Sequence, residues 1–269
     1  MVERLVANEK VMGSNPITRS KKKERIMDTE KIKKFYNMIS KEVYSEEESM
    51  LHKNMIEAVS KDLMSRPDAP KPGDKVLDMG CGDGFMLDKL VSYGLKKEDL
   101  TGVTMGDDDY KKTKDKGYEC HNYDMTFTYF DDNSFDYMIV RHCLEHSAWP
   151  YMTLMEFNRI MKLDSKVYVE MPAPEVTDRH LEHFPNHYSI MGKKMWGSLM
   201  LRSGFNYISG TYPIKVTDTK TPGKQMQEPY DWYIMTKIID RTDYAPVDRD
   251  KMIELNEQIV KSNESNNKK

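Results

Sequence analysis

Asp78 is followed by glycine at every second position, Gly80, Gly82 and Gly84, with Cys81 between the first two. A short apolar run, Val76 and Leu77, leads into the carboxylate. A helical pattern follows, with Leu87, Leu90 and Val91 on one face and Gly94 as its stop. Strand, glycine turn and helix in that order make a backbone crevice at the carboxyl end of a parallel strand, where open α/β sheets bind nucleotide-like ligands. Glycine permits the tight turn and the close approach of a ligand. A dinucleotide site would space its glycines G-x-G-x-x-G and turn a helix N-terminus toward a pyrophosphate. Here a carboxylate precedes the first glycine, which would repel a pyrophosphate and suit a cationic ligand with an α-ammonium group. Histidines supply the second chemistry. His142 and His146 could remove a proton near neutrality. His180, His183 and His187 form an H-x-x-H-x-x-x-H run that could bind a metal. Pro185 breaks any single helix through that run, and no established zinc spacing is matched. It therefore reads as a loop over a polar substrate, and no metal site is expected.

The elements that must hold these groups follow from periodicity. With 269 residues, one α/β domain plus extensions is expected. Residues 1–26 are basic and aperiodic and carry Gly13-Ser14-Asn15-Pro16, the translation of the common T-arm sequence of tRNA genes. They read as a disordered or non-native extension, with Met27 the expected natural start. Residues 27–70 carry two helical patterns, one through Ile32, Phe35, Tyr36 and Ile39, the other opened by a Ser45-x-x-Glu48 capping box. They read as an N-terminal helical cap, with Tyr36 and Tyr44 candidates to roof the cleft. Residues 71–240 alternate strands and helices. A helix is expected from Pro150 through Met161, a strand from Ser165 to Met171, and a helix from Tyr188 to Arg202 that buries Met195, Trp196 and Leu199. Alternation over Phe205–Val216 and Tyr230–Ile238 predicts the last two strands as an antiparallel pair. Residues 241–269 read as a charged helix followed by a disordered tail.

The Val76–Gly84 stretch resembles the V-L-D-x-G-C-G-x-G loop of class I S-adenosylmethionine-dependent methyltransferases. That resemblance implies a Rossmann-like, mostly parallel seven-stranded sheet with helices on both faces and an antiparallel last strand. It implies S-adenosylmethionine as cofactor, bound through Asp78, Gly80, Cys81, Gly82 and Gly84. In the family an acid near the end of the second strand accepts hydrogen bonds from both ribose hydroxyls. This sequence has Thr104 there, followed by Met105, as in the branch resembling cyclopropane-fatty-acid synthases and tocopherol methyltransferases. Asp107, Asp108 and Asp109 come later and read as caps of a helix from Tyr110. Asp124 and Met125 fall on the adenine-binding positions of the family. The run from Arg141 to His146 resembles the L-E-H segment of small-molecule methyltransferases of the ubiquinone/menaquinone type, with Arg141 on the cofactor side.

Several function classes are disfavoured. The balance of 41 basic and 44 acidic residues gives 41 − 44 = −3, without the basic excess of a general nucleic-acid binder. Neither the N/D-P-P-Y motif of amino-methylating DNA enzymes nor a Pro-Cys nucleophile occurs. Cys81, Cys120 and Cys143 make no C-x-x-C pair, and no apolar run is long enough to span a membrane. The expectation is a cytoplasmic enzyme moving a methyl group to an O, N or C nucleophile of a small polar molecule, such as a sugar or nucleotide-linked sugar. The alternative is a non-catalytic cofactor-binding or scaffolding module of the same fold. The sequence sets no oligomeric state.

Overall fold

The computed structural model describes residues 29–42, 50–177, 181, 184–217 and 225–243. The 1–26 extension, the Ser45–Glu48 capping box, Tyr44, His180, His183 and the tail from residue 244 lie outside these. The chain divides into a first unit, Met1–Ser40, and a second, Lys41–Lys269. Helix α1 (Thr29–Ile39) belongs to the first, whereas α2 (Met50–Ser65) belongs to the second, so the two helices read together as a cap fall in different units.

The second unit is built on a seven-stranded sheet in the order β3-β2-β1-β4-β5-β7-β6. The strands are β1 (Val76–Met79), β2 (Leu100–Thr104), β3 (Glu119–Asn122), β4 (Phe135–Arg141), β5 (Met161–Pro172), β6 (Phe205–Thr217) and β7 (Gln225–Lys237). The pairs among the first five are parallel, and β7 runs antiparallel to both β5 and β6. Two apolar layers sandwich the sheet. Leu77, Met79, Met138, Val140, Val167 and Val169 face α5 (Pro150–Ile160) and α6 (Lys193–Arg202) through Leu154, Phe157 and Trp196. The alternate residues Val76, Tyr137, Ile139 and Tyr168 face α2 and α3 (Phe85–Ser92) through Val59, Leu63 and Leu87. Each large apolar side chain fully buried in these layers is worth about 1.5–3 kcal/mol.

The same period-two alternation positions the polar residues. Asp78 follows Val76, Arg141 follows Ile139, and Glu170 follows Tyr168 on their strands. All three therefore occupy the α2/α3 side at the carboxyl ends of β1, β4 and β5, which are neighbours in the sheet.

Some expected boundaries move. Helix α5 ends at Ile160, and Met161 is already the first residue of β5, so helix and strand abut without a loop. The chain absorbs this in a bulge. Phe135 pairs with Met161 and Tyr137 with Lys166, and Asp164 between them takes a left-handed φ of 64°. Helix α6 starts at Lys193, with Gly192 as its N-cap, and Met195 is 49% exposed rather than buried, while Trp196 and Leu199 are buried as expected. Helix α4 (Asp107–Asp115) starts three residues before Tyr110. Its three aspartates lie in the first turn and not at the cap, which is Gly106; they act on the helix dipole rather than on free N–H groups.

Candidate active site

The turn after β1 is held from three sides. Gly80 and Cys81 both donate their backbone N–H to the Val103 carbonyl of β2, at 2.8 and 2.9 Å. The Thr113 hydroxyl on α4 donates to the Gly82 carbonyl at 3.0 Å, and the Cys143 thiol beyond β4 donates to the Met79 carbonyl at 3.1 Å. Gly80, Gly82 and Gly84 all have positive φ (78°, 52° and 83°), which strains any side chain. Their surroundings differ. A Cβ on Gly80 would lie 2.6 Å from the Cys143 Cβ, and one on Gly84 would lie 3.2 Å from the Thr113 hydroxyl. A Cβ on Gly82 would meet nothing within 4 Å. Gly82 thus borders open space, while Gly80 serves close packing.

Asp78 is 3% exposed, and its Oδ2 has no hydrogen-bond partner. Burial pushes its pKa up to about 7, against an opposing pull from the Arg141 guanidinium. An unpaired buried carboxylate oxygen beside an open glycine turn is a poor arrangement for the chain alone, since burying such a group unpaired is costly. A cationic, hydrogen-bonding ligand would complete it.

Beyond β4 and β5 the polar groups satisfy one another. Arg141 Nη2 donates to Glu170 Oε1 at 2.9 Å, and His142 Nε2 donates to the same oxygen at 2.8 Å. Glu170 Oε2 accepts from the hydroxyls of Tyr168 at 2.9 Å and Tyr212 at 2.5 Å. Burial would raise the Glu170 pKa, but the Arg141 charge and its other donors outweigh this and hold it well below the usual carboxylate range. The second His142 nitrogen faces Glu145 Oε1 at 3.6 Å. Burial would lower the His142 pKa, yet the two carboxylates raise it to about 9. His142 also adopts a left-handed φ of 48°, a strained conformation for a residue with a Cβ.

His146 is placed differently. Its Nδ1 lies 3.0 Å from the Asn186 carbonyl, which can only accept, so Nδ1 carries a proton and Nε2 is the nitrogen left to meet a ligand. The 184–189 loop is pinned beside it. Ser189 N–H donates to the Glu145 carbonyl at 2.9 Å and its hydroxyl to the Ser147 carbonyl at 2.6 Å. His187 then stacks on Phe184 and meets the His146 ring edge-on at a centroid distance of 4.7 Å.

A methyltransferase-domain family model matches residues 51–210, more than half of the chain. The chain belongs to this family. Several solved structures share the fold. A putative methyltransferase of Haloferax volcanii, in complex with the Trm112 methyltransferase activator, is 16% identical with a TM-score of 0.58, covering 70% of this chain and 94% of that one. An S-adenosylmethionine-dependent methyltransferase of Archaeoglobus fulgidus is 17% identical with a TM-score of 0.53, covering 69% and 94%. The [4+2]-cyclase SpnF is 13% identical with a TM-score of 0.52, covering 70% and 81%. No curated protein matches the sequence at a significant level. The family match reaches the class I methyltransferase domain without singling out the ubiquinone/menaquinone type.

Within this methyltransferase fold the residues expected at the cofactor line the carboxyl ends of β1, β2 and β4 and the turn after β3. The Cys81 side chain is buried and lies where a Cβ on Gly102 would meet its Sγ at 2.7 Å, so only its backbone borders the turn. Thr104 is buried, and its hydroxyl accepts weakly from Gly106 N–H at 3.4 Å. Asp107 is engaged elsewhere, accepting from the Asn122 amide at 2.7 Å. Asp124 Oδ1 accepts from Thr126 N–H at 2.7 Å, and Met125 packs against the α5-side core. Arg141, expected at the cofactor, gives one arm to Glu170, while its buried Nε has no partner. Of the three loop histidines only His187 is among the described residues, and it joins His146. Sequence reasoning missed Glu145, Glu170 and Tyr212 as site residues; Glu170 and Tyr212 declare themselves only through the strand register.

Proposed function

We propose that this chain binds S-adenosylmethionine at the Asp78–Gly84 turn and transfers its methyl group to a small polar molecule. The observation that carries the reading is the buried, unpartnered Asp78 Oδ2 beside the open face of Gly82. When bound, the cofactor supplies an electrophilic methyl on a sulfonium, so the protein has mainly to align the acceptor and manage its proton.

Each residue has a definite task in this reading. Asp78 receives the ammonium, directly or through water, and Gly82 leaves room for the ligand. Thr104, in place of the usual acid, offers a single hydroxyl to the ribose, and Asp124 with the Met125 backbone serves the adenine. Arg141 and Glu170 form a buried pair that fixes the end of β4. His142, an imidazolium between two carboxylates, acts as a fixed positive charge; to serve as a base it would first have to be stripped of both partners. His146 is the histidine with a lone pair to offer the acceptor. The charged surroundings of His142, His146 and His187 support a polar acceptor, with a sugar or nucleotide-linked sugar as the working class. Thr104 favours a second reading, a cofactor-binding module without turnover, because a weakened ribose contact is tolerable where catalysis is absent.

Incubation of the full chain with methyl-labelled S-adenosylmethionine and a fractionated metabolite extract tests the proposal. We expect label in a small polar product, and about ten- to a hundredfold less of it with the Asp78→Asn variant at cofactor concentrations below saturation. Bound cofactor with no label transferred from any fraction would favour the non-catalytic module.

A further inference from the structure

We infer that Glu145, His146 and His187 form a binding site for a divalent transition-metal ion of the zinc class. Their ligand atoms all lie within 4.8 Å of one another. Two further observations point to a ligand. Glu145 is 2% exposed and its Oε2 has no hydrogen-bond partner. This oxygen is distinct from the Oε1 that faces His142. The other is the orientation of His146. Its Nδ1–H is spent on the Asn186 carbonyl at 3.0 Å, which directs the Nε2 lone pair away from the loop backbone. A histidine held by a backbone carbonyl through one nitrogen is the usual support of a metal-ligating imidazole.

The donor set decides the class of ion. Two imidazoles and one carboxylate suit Zn²⁺ and its first-row neighbours, whereas Mg²⁺ and Ca²⁺ prefer oxygen alone. Bonds of about 2.0–2.2 Å put tetrahedral ligand atoms roughly 3.5 Å apart. From a separation of up to 4.8 Å, the ligand atoms would have to draw together on binding the ion. Three protein ligands leave a fourth position for water or an oxygen of the acceptor, as in catalytic zinc sites. The loop that supplies His187 is anchored on the ligand-bearing segment itself through Ser189, so the third ligand is delivered by fixed backbone. The inference rests on the proposed function and deepens it: with the ion bound, the His146 lone pair goes to the metal, and the ion meets the acceptor in place of the free imidazole; the test needs no turnover.

The test is a titration of the full chain, stripped with chelator, by Co²⁺ followed by visible absorption and by Zn²⁺ followed calorimetrically. We expect one equivalent of either ion per chain, and a melting temperature raised by Zn²⁺. Glu145→Gln, His146→Gln and His187→Gln should each weaken binding a hundredfold or more, while His121→Gln, a histidine on β3, should leave it unchanged. His187 is partly exposed on a surface loop, so His187→Gln decides the matter if Glu145→Gln does not fold. Absence of stoichiometric Co²⁺ and Zn²⁺ binding, or equal affinity in His187→Gln and the parent chain, would overturn the inference. S-adenosylmethionine binding measured on the same preparations separates the two readings: an intact metal site without cofactor binding would count against the proposed function alone.

Discussion

The turn after β1 and the polar row beyond β4 and β5 lie at the same end of the sheet but solve the problem of buried charge in opposite ways. Beyond β5, Glu170 accepts from Arg141, His142, Tyr168 and Tyr212, and every one of these donors belongs to the chain. At the β1 turn, Asp78 keeps a buried oxygen without a partner, and its pKa rises to about 7. A charge satisfied from within is scaffolding and should show itself in stability. A charge left unsatisfied is a site held ready for a ligand and should show itself in binding. The contrast therefore predicts which substitutions move which measurement.

The largest effect is expected at Glu170. Glu170→Leu would strip the Arg141 guanidinium of its carboxylate partner and leave His142 with Glu145 alone, at a cost of about 3–5 kcal/mol in urea unfolding. A loss below about 1 kcal/mol would mean that the row is not scaffolding. Next come two glycines that look alike in sequence. Gly80→Ala should cost about 2–4 kcal/mol of stability, combining the clash with Cys143 and the left-handed backbone. Gly82→Ala should cost only about 1–2 kcal/mol, from backbone alone, and Gly82→Val should also abolish cofactor binding. Equal stability losses at Gly80 and Gly82, with cofactor affinity unchanged in Gly82→Val, would erase the distinction.

An effect of opposite sign for stability and binding, spread over pH, is expected at Asp78. The folded chain holds this proton up to about pH 7, whereas an unfolded aspartate releases it near 3.9. Ionised Asp78 therefore opposes folding as pH rises from about 4 to 7, by up to about 1.4 kcal/mol per pH unit. Asp78→Asn should flatten this decline and be the more stable protein above pH 7. For cofactor binding the carboxylate is the competent form. Affinity should rise with pH up to about 7, then level until the ligand's own ammonium begins to deprotonate near pH 8. The smallest effect is expected at Asp107, already engaged by Asn122. Asp107→Asn should change cofactor affinity by less than about threefold, well under the tenfold that corresponds to 1.4 kcal/mol. A tenfold loss there would move the ribose contact from Thr104 to Asp107.

What the sequence disclosed follows the same division. The Asp78–Gly84 turn was legible because its residues are contiguous and each glycine reports a local backbone demand. The seven-stranded, mostly parallel sheet and its antiparallel last pair were legible from periodicity and family resemblance together. The polar row was not, because Arg141 and Glu170 meet only through the lateral register of β4 on β5. The His146–His187 contact depends on a loop fold 40 residues away that no spacing rule encodes. The abutting of α5 and β5 was hidden for another reason: Ile160-Met161 is continuously apolar, so no polar break marks where the period changes. Met195 misled because its helix begins at Lys193, five residues later than the apolar pattern implied, and Met195 lies in its first turn, 49% exposed.

The central claim, that Asp78 is the unsatisfied partner of S-adenosylmethionine, is tested most directly by calorimetric titration of the parent chain and Asp78→Asn with that ligand at pH 7.5, with NAD as comparison. The account predicts one cofactor per chain and no NAD binding. For Asp78→Asn it predicts an affinity about ten- to a hundredfold weaker, the cost of one charge-assisted hydrogen bond of about 1.5–3 kcal/mol. Equal affinity in the two proteins, or tighter binding of NAD than of S-adenosylmethionine, would contradict it.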